Sequence, residues 1–138
     1  MDKYLKRLVH YTSFKILELP ELKNTKSLSE ELQKSKEAEL IFKQISPADH
    51  IILMDEKGEE LSSVQFADFL NKKIVSNVQQ LVFVVAGPYG FDTSIYNRAN
   101  GKLSFSKMTF SHQMIRLFFV EQLYRAFTIL KGEPYHHK

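Results

Sequence analysis

The chain contains no cysteine, which excludes disulfides, thiolate metal sites and a cysteine nucleophile together. That absence suits a reducing cytosol. No apolar run approaches the roughly 20 residues needed to span a bilayer. The opening stretch Met1–Tyr11, MDKYLKRLVHY, carries charges where a secretory signal would hold its apolar segment. A cytoplasmic protein is therefore expected, with no membrane partner. Internal repeats, low-complexity tracts and linkers are also missing, so the 138 residues read as a single domain, 1–138, long enough to bury a real core and too short for two. Nor does one sign of charge dominate. The net charge of +3 and pI near 9.0 tilt towards an anionic partner without requiring one.

What is present is ordinary in bulk, with 43% hydrophobic and 25% charged residues, as in a soluble globular protein. The most informative stretch is Leu81–Gly90, LVFVVAGPYG. Leu81–Val85 is continuously apolar and runs into Ala86-Gly87-Pro88-Tyr89-Gly90, the pattern of a buried strand ending in a glycine turn. In open α/β sheets, ligands bind outside the carboxyl ends of such strands, where glycine lets backbone N–H groups come close. The G-P-x-G here falls short of the dinucleotide fingerprint, so a plain strand-to-helix connection stays open.

Along the chain, Tyr4, Leu5, Leu8 and Val9 recur at helical spacing over Asp2–Tyr11. Phe14–Leu19 alternates and exits at Pro20, which predicts a strand. After a polar loop, Ser27 and Glu30 fit a capping box for a largely exposed helix reaching about Gln44, stopped by Ser46-Pro47. His50–Met54 is a second buried strand, with Asp55–Gly58 as the turn at its end. Ser62 or Ser63 caps a helix that carries Val64, Phe66, Ala67, Phe69, Leu70 and Ile74. The third strand is Leu81–Val85. Asp92 or Thr93 caps a short helix ending near Gly101, Lys102–Phe105 is a brief fourth strand, and Ser106–Ser111 is a loop. His112–Leu130 is the strongest helix, with Met114, Leu117, Phe118, Leu123, Tyr124, Phe127 and Leu130 on one face and Gly132 and Pro134 at its end. Strands alternating with helices imply an α/β fold, a small and mostly parallel sheet with helices on both faces. The ends of two strands, at Met54 and Val85, form one crevice that Ser106–Ser111 can close. These patterns give a small-ligand site and no reaction.

The C-terminal third adds one. AGPYG after an apolar strand, then SFSKMTFSH, then VEQLYRAFTILKGEPYHH resembles the bacterial ribosomal large-subunit pseudouridine N3-methyltransferase family, of the SPOUT class. LYRA followed by PYH carries most of the specificity, and the likeness extends back through Leu22–Ser29 and YLKRL. The resemblance implies a C-terminal trefoil knot, which general rules of chain topology would disfavour. It also implies an obligate homodimer, S-adenosyl-L-methionine as methyl donor, no metal, and as target N3 of a pseudouridine in 23S ribosomal RNA, with the assembled ribosome favoured as substrate. Carried over by position, Met54 contacts the adenosine from one side and Ala86 and Gly87 stand for a glycine pair. Phe105, Ser106, Lys107, Met108, Thr109 and Phe110 occupy the loop that wraps the adenine. For Met108 and Phe110, core packing is the alternative.

Methyl transfer from a sulfonium is an in-line displacement, which calls for near-attack placement of donor and acceptor. The acceptor N3 must lose a proton, so a base is sought. Candidates are His112 at the start of the last helix, whose dipole disfavours the imidazolium, and His136 and His137 in the tail. The alternative for His112 is a partial cap or a buried hydrogen-bonding group. Arg125 is expected to meet an RNA phosphate, the target base or the donor carboxylate, or else to pair with Glu121 one turn earlier. The catalytic candidates are thus His112, Arg125 and His136. Arg125, Tyr135, His136 and His137 form the expected RNA contact, an aromatic and two imidazoles suited to an unpaired base. Lys3, Lys6 and Arg7 add unspecific phosphate attraction.

The chain also departs from the family pattern. Members begin with a strand and a glycine loop before the YLKRL-type helix, whereas this sequence starts at the helix, so the sheet is expected to lack the usual first strand. Ala86 replaces a glycine, Glu133 stands where His often precedes Pro-Tyr, and Lys138 stands where an acidic residue is usual. Two rival readings follow: a ribosome- or RNA-binding protein of the same fold without turnover, and a flavodoxin-like module for another nucleotide.

Overall fold

In the computed structural model, which describes residues 2–19, 25–86, 89–105 and 110–137, the sheet is built around β1 (His50–Glu60). β2 (Leu81–Val85) pairs with it in parallel on one side and β3 (Gly101–Ser104) in parallel on the other, in the order β2-β1-β3. β1 is apolar on both faces because both are covered. Ile52 and Met54 face one cluster, while Ile51 and Leu53 face the other. On the first face pack α1 (Asp2–Leu8), α3 (Ser63–Val75) and α5 (His112–Lys131), through Leu8, Phe66, Leu70, Val120, Leu123 and Phe127. On the second pack α2 (Glu30–Phe42) and α4 (Thr93–Arg98), through Ala38, Ile41 and Ile95. The expected parallel sheet with helices on both faces is borne out.

Side-chain caps set where α3, α4 and α5 begin. Ser62 and Gln65 form a reciprocal capping box at α3, Asp92 accepts from the Ser94 N–H at α4, and Ser111 accepts from the Met114 N–H at α5. α5 ends where Gly132 turns to φ 70°, a left-handed conformation open to glycine at no steric cost.

Four expectations change. Among the described residues no strand forms at Phe14–Leu19. The alternation is real, since Phe14 and Ile16 pack on the α3/α5 side and Leu19 on the α2/α4 side, but an alternating segment becomes a strand only when a neighbour completes its ladder. Second, the turn at Asp55–Gly58 does not end β1. Met54 and Glu59 both stand opposite Leu103, so the four residues between them form a bulge and the strand resumes. Gly58 is required there by close approach, because an added Cβ would lie 2.7 Å from the Leu103 backbone. Third, α2 is capped by Ser29, which accepts from the Leu32 N–H at 3.1 Å, and Thr25–Ser27 is a separate 3-10 turn. Glu30 and Glu31 then fall in the first turn, where the helix dipole favours them. Fourth, α1 stops at Leu8, and β3 spans Gly101–Ser104, leaving Phe105 beyond it.

Candidate active site

Because β1 and β3 run parallel, Met54 and Leu103 arrive at the same edge of the sheet. The chain turns there through Leu61 and Ser62 into α3, and the middle of α5 lies across the opening. Between them is a cleft of about 370 Å³ lined by Met54, Leu61, Phe66, Leu103, Phe105, Phe110 and Phe118, with Ser62, Ser63, Ser104, Glu121 and Gln122 as its polar groups. Phe110 meets Phe118 edge to face at 5.3 Å, and Phe105 lies 6.4 Å from Phe119 behind the wall. An apolar cavity with a few convergent polar groups is the ordinary form of a small-molecule site.

Three of these polar groups, Ser63, Gln122 and Glu121, form one connected chain. Ser63 Oγ donates to Gln122 Oε1 at 2.7 Å, and Gln122 Nε2 donates to Glu121 Oε2 at 3.0 Å. Glu121 Oε1 accepts from Arg125 Nε at 2.9 Å, from Arg125 Nη2 at 2.6 Å and from the Tyr135 hydroxyl at 3.1 Å. Arg125 Nη1 lies 3.0 Å from His136 Nδ1, and the guanidinium sits 4.8 Å from the Tyr135 ring centroid. With Arg125 24% and Glu121 18% exposed, water screens this pair less than it would an open surface pair. Burial pushes the Tyr135 phenol well above its ordinary value, helped by hydrogen bonds with Tyr4 and Glu121 and by the Glu121 charge. It therefore keeps its proton.

A second cluster braces the strand ends. The Tyr96 hydroxyl donates to Asp55, in the bulge just after Met54. Phe91, which follows the glycine turn, packs edge to face on the Tyr96 ring at 5.8 Å, and Lys102 Nζ lies 5.5 Å from it. Burial first and the Asp55 hydrogen bond second push the Tyr96 phenol up to about 12.

Of the residues expected to hold a cofactor, Met54, Phe105 and Phe110 converge on the cleft. Ala86 packs instead with the α2/α4 cluster. Gly87, Ser106, Lys107, Met108 and Thr109 lie outside the described residues. Arg125, Tyr135 and His136 are brought together, with Arg125 paired to Glu121, while His137 is exposed. His112 is the first residue of α5, and its side chain lies outside the description. From sequence, Glu121 is visible only as a pairing partner for Arg125 and Ser63 only as an alternative helix cap, and Gln122 is not singled out. The available signal was the Ser62–Gln65 capping box, which fixes where α3 opens. Among the described residues no group of three or more His, Cys, Asp or Glu could hold a metal ion, and no helix is long and apolar enough to cross a membrane.

The family model described as "Predicted SPOUT methyltransferase" matches residues 1–136. The chain belongs to the SPOUT methyltransferase family. Curated relatives of this SPOUT chain include the ribosomal RNA large subunit methyltransferase H of Parabacteroides distasonis, 54% identical over 138 residues. The proteins of the same name from Flavobacterium johnsoniae and Bacteroides fragilis are 56% and 55% identical. Each alignment covers 100% of this chain and 88% of the relative.

Proposed function

We propose that this SPOUT-family protein methylates large-subunit ribosomal RNA, with S-adenosyl-L-methionine as donor and N3 of a pseudouridine in 23S RNA as target. One observation carries the reading: Met54 on one strand and Phe105 and Phe110 beyond another line one cleft, in a chain whose relatives are named ribosomal RNA large subunit methyltransferase H. The cleft fits the donor in size and character, about 370 Å³ against roughly 300–1,000 Å³ for small-ligand pockets. Its aromatic wall suits an adenine, and the hydroxyls of Ser62 and Ser63 suit a ribose. The resemblance adds Ala86, Gly87, Ser106, Lys107, Met108 and Thr109 as proposed donor contacts, of which Gly87 and Ser106 to Thr109 lie outside the described residues. The donor, when bound, supplies a methyl group activated on a sulfonium.

The protein's own part is placement. The ends of β1 and β3 form one wall and α5 the other, so that the acceptor nitrogen can meet the donor at near-attack distance. His112, the first residue of α5, is the leading candidate to take the N3 proton. Arg125, Tyr135, His136 and His137 form the RNA-facing group. The active form is a homodimer with a trefoil knot in its C-terminal part, one subunit supplying the cofactor and the partner's tail helping to hold the RNA. It acts in the cytoplasm on the assembled ribosome and uses no metal.

Calorimetry with S-adenosyl-L-methionine tests the cleft, and no binding would remove the enzymatic reading in favour of an RNA-binding protein. Mass spectrometry of ribosomal RNA from cells lacking the protein tests the reaction. The expected result is loss of one methyl on a pseudouridine of 23S RNA, and an unchanged nucleoside profile would refute it.

A further inference from the structure

Arg125 lies with Nη1 3.0 Å from His136 Nδ1. A guanidinium has only donors, so Nδ1 must be the acceptor. Nor can Arg125 readily turn aside, because Nε and Nη2 are both held on Glu121 Oε1, at 2.9 and 2.6 Å, and its plane rests 4.8 Å from the Tyr135 ring centroid. The lone pair that a basic imidazole would use is therefore taken. The ring's remaining proton then sits on Nε2.

We infer that His136 serves the RNA as a hydrogen-bond donor through Nε2–H, with Arg125 as the positioning residue that fixes its tautomer, and that His136 is not the base of the reaction. The matching acceptor is an oxygen of the RNA, either a ring carbonyl beside the reacting nitrogen or a backbone phosphate. A fixed donor at a carbonyl gains strength as the ring nitrogen loses its proton and charge spreads onto that oxygen. A donor at a phosphate contributes to binding alone. The inference rests on the RNA-methyltransferase reading.

Two measurements test it. Nitrogen NMR of the imidazole in the unliganded full-length protein is expected to show His136 protonated at Nε2, with Nδ1 hydrogen-bonded to the Arg125 guanidinium. The Nδ1 hydrogen bond should disappear in Arg125→Met. A proton on Nδ1 in the unsubstituted protein, or a spectrum indifferent to Arg125→Met, would overturn the assignment whether or not the protein methylates RNA. In steady-state methylation of unmodified ribosomes, His136→Gln retains a donor near the Nε2 position and is expected within about ten-fold of the unsubstituted protein. His136→Ala is expected to lose at least about 100-fold in kcat/KM. The loss falls on kcat if the acceptor is a carbonyl and on KM if it is a phosphate. Glutamine as inactive as alanine would mark a base, and full activity of the alanine variant would remove the role altogether. Absence of methylation by the unsubstituted protein would instead count against the parent reading, and the NMR result would stand apart from it.

Discussion

Glu121 Oε1 takes two hydrogen bonds from Arg125, at 2.9 and 2.6 Å, and the same carboxylate lines the cleft that Met54 and Phe105 wall. It thereby joins the proposed donor site to the tail that carries Tyr135 and His136. Both partners are mostly shielded, so the pair should contribute measurably to folding. A double-mutant cycle of Glu121→Gln and Arg125→Met, read by urea unfolding, is expected to give a coupling of about 1–2 kcal/mol. A coupling under about 0.5 kcal/mol would mean that the pair is screened like an ordinary surface bridge.

Phe110 stands at the cleft mouth, half-buried and edge to face with Phe118 at 5.3 Å. Truncating it removes wall from the cleft while leaving the sheet core in place. Phe110→Ala is expected to weaken S-adenosyl-L-methionine binding by about ten-fold, equivalent to about 1.4 kcal/mol, with a small change in thermal midpoint. Unchanged affinity by calorimetry would place the donor elsewhere.

Tyr96 gives a prediction with a definite sign. Its phenol titrates at about 12 in the folded protein against 10.0 in the unfolded chain, raised by burial and then by Asp55. A group with a raised folded value stabilises fully below the unfolded value, and that stabilisation is lost as pH climbs through the folded one. Stability should therefore fall between about pH 10 and pH 12, and Tyr96→Phe should flatten part of that fall. Tyr11, raised to about 12 chiefly by its hydrogen bond to Glu133, contributes in the same window and remains in the variant. Denaturant midpoints taken across this range check the difference. Identical slopes in both proteins would show that the Tyr96 hydroxyl does not hold the bulge.

The legible parts of this fold are those in which local pattern and final contact agree. Leu81–Val85 reads as a strand because its five apolar residues run without a break, with Leu81 and Phe83 packing on one face and Val82 and Val84 on the other; the full burial expected of it is not reached, since it is an edge strand, half-buried, with Val85 exposed. The α3 and α5 starts are written in Ser62–Gln65 and Ser111. What escaped depends on distant partners. The resumption of β1 after Gly58 requires Leu103 as a neighbour, and the alternation at Phe14–Leu19 serves two clusters instead of a ladder. The cleft was legible through Met54, Phe105 and Phe110 by resemblance to a family, since apolar residues carry no chemical signature of their own. Glu121, Gln122 and Ser63 were not, because their roles arise only when α3 meets α5.

Gly58 tests the geometry on which the cleft depends. Any Cβ there would stand 2.7 Å from backbone atoms of Leu103, and neither β1 nor β3 offers a flexible side chain to move away. Gly58→Ala must push β3 outward at the point where Leu103, Ser104 and Phe105 form the wall. The expected cost is about 1–3 kcal/mol, typical of overpacking, together with weaker donor binding because Met54 and Phe105 no longer face each other at their set spacing. Thermal unfolding and calorimetry on the same sample separate these effects. Lost stability with unaltered donor affinity would show that the bulge supports the sheet and not the site, whereas loss of both ties the register shift between Met54 and Glu59 to the chemistry.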